Sequence, residues 1–580
     1  MNSGCFLSQN SGNFINLIGF LVLMGFYREI VDYIKQEKPS KKELSKKKLE
    51  LCKKHKLKKI PTEIEILLNA TKDDLNEIKD IIITKPGRTG SGVAVVAVMT
   101  YPFKCPHGEC AMCPSHTDEK VPQSYTGKEP ATLRGIRNEF DPYLQTMNRL
   151  EQYIVTGHSP EKIELIIMGG TFMSFEPEYK RNFVYYTYKA MNDFSSMFYE
   201  NSELNIEKFK EFFELPGDIE DKERTNNLQK KLILLKEKGA NSTLEEEKKQ
   251  NENSSVRCVG LTIETRPDYG KLEQGNEMLE YGCTRVELGV QTVYDEVLEN
   301  IERGHFVEDS IESTKILKDL GFKINYHVMP GLPNVSFEKD LEGFRELFEN
   351  ENFRPDMLKI YPCMVLKNTK LYKKWKKGEF SPLNAEKASK LIREFKKYVP
   401  RYVRIMRVQR DIPTYAIESG VERTNLRQMI DQHGHECKCI RCREAGRVFE
   451  QKGNVPEKPK THIKKYNASH GTEYFISIED DDVLFGFIRL RFPGKGLREE
   501  IPENSALVRE LHVYGELARI GKEGKYQHKG YGKKLLKKAE EIAIENNKCK
   551  IVVISGVGVR DYYRKQGYKL EGHYMVKYLI

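Results

Sequence analysis

Short apolar runs recur along the first two-thirds of the chain, and each is long enough for one buried strand. They lie at Val93–Met99, Ile163–Met168, Cys258–Ile263, Arg285–Val290, Lys323–Val328 and Met357–Ile360. Most are separated by stretches long enough for a helix, and this alternation is typical of parallel α/β domains. The pattern therefore predicts a partial (βα)6 barrel over residues 86–395, with reactive groups at the carboxyl ends of its strands.

The pattern changes elsewhere in the chain. Residues 200–255 are polar and highly charged, which predicts a partly helical surface insertion in the second βα unit, and we assign it no chemistry. A basic run and a His/Cys cluster occupy residues 396–460, which we interpret as a connecting module. Strand-like runs return in residues 461–580 and precede a helix at Gly530–Asn546, so a separate α+β domain is expected there.

The first 85 residues predict a basic helical region. Lysine is dense between Lys35 and Lys59, a pattern typical of either a solvated helix face or a phosphate-contacting surface. The apolar run Phe14–Tyr27 is shorter than the roughly 20 residues that a bilayer requires. For residues 1–30 two alternatives remain: an amphipathic helix, or disordered residues upstream of a true start at Met24.

Composition indicates a protein of several domains. The 580 residues are 39% hydrophobic and 31% charged, which excludes a disordered tail and a membrane bundle. Lys+Arg 95 against Asp+Glu 85 gives a net charge of +10, compatible with a polyanionic partner. Twelve cysteines are too few for a disulfide scaffold, and we find no export signal. We therefore expect a cytoplasmic protein whose cysteine clusters bind metal.

The first cluster is CPHGEC-AM-C, with Cys105, Cys110 and Cys113 on one loop after the first predicted strand. Three thiolates suit three irons of an iron–sulfur cube and leave one iron open for a cofactor. The alternative is a structural zinc site, which normally needs a fourth ligand such as His107 or His116.

Two further elements favour the iron–sulfur cluster. Gly169, Gly170 and Thr171 end the second predicted strand, and Glu264 and Arg266 follow the third. This order resembles the radical S-adenosylmethionine (SAM) superfamily. The resemblance implies a [4Fe–4S] cluster at the three cysteines, with the Gly-Gly-Thr segment, Glu264 and Arg266 binding SAM.

The second cluster lies in the connecting module, in the sequence HGHECKCIRC. Cys437, Cys439 and Cys442 with one histidine offer four ligands at tetrahedral spacing, which predicts a structural zinc site. We assign His435 as the fourth ligand, with His433 as the alternative. The predicted site would join the two larger domains, which makes this module a zinc-stapled linker.

The third pattern is a glycine turn that opens a helix after a strand. Glycines at such a position let backbone N–H groups approach a pyrophosphate. This order resembles the GNAT acyltransferases, which implies acetyl-CoA binding. The implied contacts are Glu510, Leu511, His512, Val513, Gln527, Gly530, Tyr531, Gly532 and Lys533. Tyr563 would protonate the leaving thiolate, with Tyr562 as the alternative.

The combination resembles the family of Elongator catalytic subunits from about Lys59 to the end of the chain. The resemblance implies a tRNA carboxymethyluridine synthase: a deoxyadenosyl radical from SAM activates acetyl-CoA, whose acetyl carbon joins C5 of wobble uridine 34. It also implies Lys162 as an acetyl-CoA contact, the tRNA anticodon stem-loop as partner, and an external reductant. Candidate tRNA contacts are Lys41–Lys59, Arg134, Arg137 and Arg401–Arg410. A homodimer and further Elongator subunits stay open; a single-subunit prokaryotic type is expected.

The competing hypothesis is a protein lysine acetyltransferase whose radical SAM domain is only a scaffold. A base near Glu510 would then deprotonate the substrate amine. A third hypothesis, a non-catalytic tRNA-binding scaffold, leaves the acyl-CoA pattern unexplained.

Overall fold

A computed structural model provides the three-dimensional structure. It describes residues 9–84, 89, 92–114, 120–217, 221–239, 241–432, 436–456, 458–514 and 530–579, and side chains from residue 21 onward.

Four helices form the N-terminal region: α1 Gln9–Glu37, α2 Lys41–Lys54, α3 Glu63–Asn69 and α4 Lys72–Ile82. Ser40, Thr62 and Thr71 each begin a helix with a reciprocal capping box. Phe26 and Ile30 of α1 are fully buried against the other three helices. Of the two alternatives for residues 1–30, the helical one agrees with the described part, which is helical from residue 9, and a true start at Met24 stays a prediction.

In the described residues no helix combines the length and the apolar character needed to span a membrane.

Strands of the central region are β1 Ala94–Met99, β2 Lys162–Met168, β3 Tyr199–Glu200, β4 Glu203–Leu204, β5 Arg257–Thr265, β6 Arg285–Gln291, β7 Lys323–Val328, β8 Met357–Ile360, β9 Val365–Leu366, β10 Arg404–Arg407 and β11 Ile417–Ser419. Seven of them form one parallel sheet in the order β1-β2-β5-β6-β7-β8-β10. The partial barrel is confirmed, with one strand more than the six predicted. The additional strand, β10, lies within residues 396–460 and joins that segment to the barrel sheet.

Helices surround this sheet: α5 Pro130–Arg137, α6 Pro142–Val155, α7 Pro177–Phe198, α8 Ile206–Phe212, α9 Lys222–Glu237, α10 Leu244–Asn251, α11 Leu272–Glu280, α12 Asp295–Asn300, α13 Val307–Asp319, α14 Phe337–Glu349, α15 Lys370–Lys376, α16 Ala385–Lys396 and α17 Leu426–Gln432. Single 3-10 turns occur at Phe172–Ser174, Pro267–Tyr269 and Thr414–Ala416. Helices α8 to α10 belong to the charged insertion. Outward residues of the strands, such as Ile163 and Leu165, pack in the core.

The C-terminal region consists of α18 Ile440–Arg443, α19 Ala445–Lys452, β12 Lys460–Ala468, β13 Gly471–Asp480, β14 Val483–Phe492, β15 Ser505–Val513, α20 Tyr531–Glu545, β16 Lys550–Val553, α21 Arg560–Arg564, β17 Lys569–Glu571 and β18 Tyr574–Tyr578, with a 3-10 turn at Val557–Val559. Its sheet has the order β12-β13-β14-β15-β16-β18-β17. Only β15 and β16 pair in parallel, and their pairing ends at Val508 and Val553. Strand β15 continues for five residues beyond that point, so the two strands separate.

A buried ionic network joins this domain to the barrel. Asp356, which precedes β8, accepts two hydrogen bonds of 2.7 Å from the Arg509 guanidinium. Arg491 pairs with Asp319 at 2.6 Å and with Glu473 at 3.0 Å. All of these side chains are almost completely buried. Because both members of each pair are withdrawn from water, separating the domains would expose or orphan these charges.

Candidate functional site

A cavity of about 380 Å³ occupies the lumen of the partial barrel and opens at the carboxyl ends of its strands. Its lining includes the cysteine loop, the ends of β2 and β5, and inward-facing residues of β6, β7 and β8. In a parallel barrel this end is where ligands and catalytic groups collect. The predicted radical SAM residues therefore meet at one place.

Cys105, Cys110 and Cys113 all line this cavity. Burial raises the pKa of Cys105 to about 11. The backbone N–H of Ser124 lies 3.3 Å from the Cys113 sulfur, and Arg303 Nη1 lies 3.4 Å from the Cys110 sulfur. Three cysteines on one loop, two of them with N–H groups directed at their sulfurs, fit a [4Fe–4S] cluster.

The Gly-Gly-Thr segment follows β2 and faces the cysteines. Gly169 has φ 128°, and a Cβ there would lie 2.0 Å from the Thr100 hydroxyl oxygen, so only glycine fits. Gly170 has φ 97°, and its Cβ would lie 3.8 Å from the Cys105 sulfur. The backbone can thus approach a ligand bound beside the cysteines.

Glu264 and Arg266 lie at and just beyond the end of β5, on the same cavity. Arg266 donates to Asp268 at 2.7 Å and to the Gly304 carbonyl at 2.8 Å, so its side chain is held in place. Glu264 accepts from the Tyr125 hydroxyl at 3.0 Å and from Lys359 at 3.3 Å. The structure therefore brings the three cysteines, Gly170, Thr171, Glu264 and Arg266 to one cavity, whereas Gly169 packs against Thr100 behind it.

A charged cluster in the lumen was missed by the sequence analysis. Glu287 of β6 accepts from His327 Nε2 at 2.7 Å and also from the Lys359 ammonium. Burial alone would raise the pKa of Glu287, but Lys359 and His327 hold it well below its usual range. Alternation of polar and apolar residues was the available signal for Glu287 and His327, in RVELGVQ and KINYHV, whereas the strand of Lys359, MLKI, carries no such signal.

In the connecting module, the sulfurs of Cys437, Cys439 and Cys442 lie within 4.8 Å of one another. Three sulfurs at this separation fit three corners of a tetrahedral zinc site. His433 and His435 lie outside the described residues, so the fourth ligand stays a prediction. Cys439 is fully buried. The next residue, Ile440, donates its backbone N–H to the carbonyl of Val403, which directly precedes β10, so this cysteine lies beside that strand.

The predicted acyl site lies where β15 and β16 separate. Gly530 begins α20 in the left-handed conformation, with φ 77°. The Tyr562 hydroxyl lies 2.8 Å from the position of a Cβ on Gly532, and 3.9 Å separates that position from Val513. Among the described residues this hydroxyl has no hydrogen-bond partner. The glycine turn, the free end of β15 and Tyr562 therefore line one slot.

Other predicted acyl-site residues are placed differently. Tyr563 is buried in the domain core beside Tyr568, so of the tyrosine pair it is Tyr562 that faces the slot. Leu511 and Tyr531 pack at the edge of that core, and Lys533 is exposed on the first turn of α20. Gln527 lies outside the described residues.

Glu510 and His512 face the barrel rather than open solvent. Glu510 accepts from Arg489 Nε at 2.9 Å. Burial would raise the pKa of Glu510, but Arg489 and Lys323 hold it below its usual range. His512 lies 4.3 Å from Tyr514 between ring centroids, and burial lowers its pKa. Glu510 is thus an interface ion rather than a free base.

Lys162 is the first residue of β2, at the opposite end of the strand from Gly169. Its neighbour in the sheet is Arg257 of β5. A Cβ on Gly558 of the C-terminal domain would lie 2.6 Å from the Arg257 Cβ, so Lys162 is near the domain interface. At about 3.3 Å per residue, Lys162 and Gly169 are separated by roughly 23 Å.

Several of the arginines predicted to contact tRNA form hydrogen bonds or ion pairs within the protein. Arg134 is buried and donates to the Ala97 carbonyl at 2.7 Å, so the expectation of a surface contact is wrong there, because α5 turns that side chain onto β1. Arg401 pairs with Glu479, and Arg410 donates to the Ser124 carbonyl. Arg137 is exposed.

Four family models match the chain. The ELP3 N-terminal domain matches residues 23–90, and the radical SAM superfamily matches residues 99–347. The radical SAM C-terminal domain matches residues 355–435, and the acetyltransferase (GNAT) family matches residues 443–568.

Similar proteins cover nearly the whole chain. A protein of Methanocaldococcus jannaschii named tRNA uridine(34) acetyltransferase is 46% identical, over 95% of this chain and 98% of its own. Elongator complex protein 3 of Dictyostelium discoideum is 38% identical, over 98% and 96%. The solved structure of Methanocaldococcus infernus Elp3 with an N-terminus deletion (1–46) has a TM-score of 0.68 at 44% identity, covering 84% of this chain and all of that one.

Proposed function

We propose that this chain, which belongs to the Elongator complex protein 3 family, modifies uridine 34 of tRNA with a two-carbon unit from acetyl-CoA. The relatives named for uridine 34 and for Elongator complex protein 3 match this chain over almost its full length. The proposed product is 5-carboxymethyluridine. One observation supports this function most: a single chain combines a three-cysteine cavity in the barrel with a C-terminal domain in which β15 and β16 separate near a glycine turn, where we propose that acetyl-CoA binds.

Radical SAM superfamily membership implies SAM and a [4Fe–4S] cluster, which when bound supplies the electron that cleaves SAM. We propose that Cys105, Cys110 and Cys113 hold that cluster. Gly169 and Gly170 leave backbone room beside it for the amino-acid end of SAM. Glu264, held by Tyr125 and Lys359, presents a fixed carboxylate to hydroxyl groups of the same cofactor.

Acetyl-CoA is proposed to lie between β15 and β16. The free N–H and C=O groups at the end of β15 pair with the amides of its pantetheine arm, and the α20 N-terminus receives its pyrophosphate. The Tyr562 hydroxyl has no hydrogen-bond partner in the part of the chain that the structure describes, and burial raises its pKa, which keeps the proton on the oxygen. That proton is available to a departing thiolate.

The alternative protein lysine acetyltransferase is less well supported by this geometry. Such an enzyme needs a base that accepts a proton from the amine. Glu510 is paired with Arg489, and its pKa is lowered rather than raised toward neutrality. A carboxylate in that state is a weak base, so amine deprotonation would need another residue.

We also propose the tRNA-binding surface, the electron source, a structural zinc ion and the cellular location. The anticodon stem-loop binds over the open end of the barrel, and an external reductant delivers the electron. A zinc ion at Cys437, Cys439 and Cys442 fastens the connecting module to β10. The reaction takes place in the cytoplasm, where tRNA is modified.

Anaerobic reconstitution tests the function. The full chain is supplied with iron, sulfide, SAM, acetyl-CoA, a reductant and unmodified tRNA, and nucleosides are analysed by mass. Cys110→Ser is compared with Cys549→Ser, which alters an exposed cysteine remote from the cavity. Carboxymethyluridine from the wild type and Cys549→Ser, with none from Cys110→Ser, is expected. Peptide acetylation by all three proteins without tRNA modification would overturn the proposal.

A further inference from the structure

The charged insertion, which carries no assigned chemistry, meets the C-terminal domain at its last helix, α10. Glu252 follows this helix and is only 5% exposed. Its Oε1 accepts from Arg560 Nη1 at 3.0 Å, and its Oε2 lies 2.6 Å from Arg564 Nη2. These arginines are the first and last residues of α21. One carboxylate of the insertion therefore holds both ends of a helix of the other domain.

Helix α21 is also the helix that brings Tyr562 to the acyl slot. Tyr562 lies between the two arginines in sequence, and its hydroxyl lies 2.8 Å from the position of a Cβ on Gly532. Five residues make only about one and a half turns, and so short a helix is not stable by its own hydrogen bonds. Its orientation therefore depends on contacts with its surroundings: Tyr563 anchors it in the domain core, and Glu252 pairs with its ends.

The segment that leads into α21 lies directly on the barrel. A Cβ on Gly556 would lie 2.1 Å from the carbonyl oxygen of Val259, and one on Gly558 would lie 2.6 Å from the Cβ of Arg257. Glycine at both positions allows this close approach, because any larger residue would collide with β5. The start of α21 thus has its position set by the barrel sheet.

Buried amides fix α10, and with it Glu252, on the same part of the barrel. Asn251 accepts from the Cys258 N–H of β5 at 2.8 Å and donates to Asn192 of α7 at 2.9 Å. Asn192 donates in turn to the Glu247 carboxylate at 2.7 Å. These three polar side chains are buried, and a buried network whose members are paired favours one arrangement. The carboxylate of Glu252 therefore has a defined place relative to β5.

Stability alone is a weaker explanation for the two ion pairs of Glu252. The side chain of Arg564 is 40% exposed, and ion pairs with access to water add little to the free energy of unfolding. The domains are already joined by the fully buried pair of Asp356 and Arg509. Two charged donors on one carboxylate do, however, restrict direction, and here they restrict the direction of α21.

We propose that Glu252 is a positioning residue for hydrolysis of acetyl-CoA: through Arg560 and Arg564 it orients α21 so that the Tyr562 hydroxyl faces the thioester sulfur. This inference rests on the proposed function. In the hydrolytic step a water oxygen joins the acyl carbon, the C–S bond breaks, and the sulfur takes the Tyr562 proton, which the water then replaces. Glu252 acts on this step only through the position of the helix.

A double-mutant cycle between Glu252 and Tyr562 tests the inference. Thiol release from acetyl-CoA is measured with the full chain and tRNA. Glu252→Gln should lower kcat by about tenfold with the KM for acetyl-CoA unchanged, because a displaced proton donor weakens only the step that breaks the C–S bond. In the Tyr562→Phe background the same change should have no further effect, since the proton that Glu252 positions is already absent. Equal losses in both backgrounds would show a purely structural role and overturn the inference.

Two further variants separate positioning from folding. Glu245→Gln alters the same helix, but Glu245 pairs with Arg181 of α7 at 3.0 Å and its side chain is 57% exposed, so kcat should stay unchanged. Arg564→Gln removes only the exposed pair, and it carries the same cycle if Glu252→Gln does not fold.

The outcomes distinguish this inference from the proposed function. An unchanged kcat in the variant that carries the cycle overturns the inference, and so does an equal loss in Glu245→Gln. In both cases the proposed function stands as long as the wild type forms carboxymethyluridine. A wild type that forms none contradicts the proposed function itself.

Discussion

Replacing Asp356 with asparagine should strongly destabilise the chain, because its carboxylate holds the barrel to the C-terminal domain. It accepts two hydrogen bonds of 2.7 Å from Arg509 and one of 2.9 Å from the Ile324 N–H, with Arg489 3.5 Å away. Asparagine removes the charge and turns an N–H₂ group toward a cation. Leaving a buried charge without its partner typically costs about 3–5 kcal/mol.

An exposed pair provides the matched control. Glu203 and Lys72 are 3.9 Å apart with 79% and 64% of their side chains exposed. Glu203→Gln should therefore change the free energy of unfolding by less than about 1 kcal/mol. Urea unfolding followed by the fluorescence of Trp375, the single tryptophan, measures both variants. Equal midpoints for Asp356→Asn and Glu203→Gln would refute the reasoning.

The same carboxylate predicts a pH dependence. Burial would raise the pKa of Asp356, but Arg509 and Arg489 hold it far below its usual range. Its unfolded pKa is about 3.9, so the stability it adds is complete above that pH and is lost as the pH falls below it. Between pH 4 and pH 2 the wild type should lose stability more steeply than Asp356→Asn. Parallel acid-unfolding profiles would count against this assignment.

Four single substitutions test the two predicted sites. Tyr562→Phe should slow tRNA-dependent acetyl-CoA hydrolysis by about 100-fold in a thiol-release assay, because it removes the proposed proton donor. Tyr563→Phe should have little effect in the same assay. A larger loss in Tyr563→Phe than in Tyr562→Phe would make Tyr563 the donor. Gly532→Ala should raise the KM for acetyl-CoA, since the added Cβ would lie 2.8 Å from the Tyr562 hydroxyl. An unchanged KM would contradict the placement of Gly532 and Tyr562 at the acetyl-CoA site. Cys439→Ser should lower the zinc content measured by elemental analysis, since it removes one of the predicted ligands, and full retention would exclude this cysteine as a ligand.

The sequence predicted two strands of the barrel with the bounds that the structure has. Polar and apolar residues alternate along Lys323–Val328, and Met357–Ile360 has a single charged residue among apolar ones, and both patterns are typical of strands. Strand β10 was missed because its four residues, Arg-Ile-Met-Arg, contain two charges. Its arginines are accommodated by partners that sequence reasoning could not supply, such as Glu444 for Arg404 at 2.7 Å.

The cysteines and the Gly-Gly-Thr segment followed from motifs, but the charged cluster in the lumen did not. Cysteine spacing and paired glycines have direct chemical consequences that spacing alone indicates. Glu287, His327 and Lys359 come from three different strands, and their meaning depends on the sheet register that places them together. The sequence also could not distinguish Tyr562 from Tyr563 as the proton donor. The two residues are adjacent on a short helix and differ only in the side that each faces.

The two ends of the barrel also constrain the order of events. A reaction between the SAM-derived radical and an acetyl group requires reacting atoms about 3–3.5 Å apart. The Gly-Gly segment and Lys162, near the acyltransferase interface, are separated by roughly 23 Å along β2. A thioester held at the proposed contact Lys162 would therefore lie too far from the Gly-Gly segment for direct attack. We expect the acyl slot to act in a step apart from the radical step, either delivery or hydrolysis of the thioester. Hydrolysis should then persist in Cys110→Ser, and its loss there would show that the two ends act as one site.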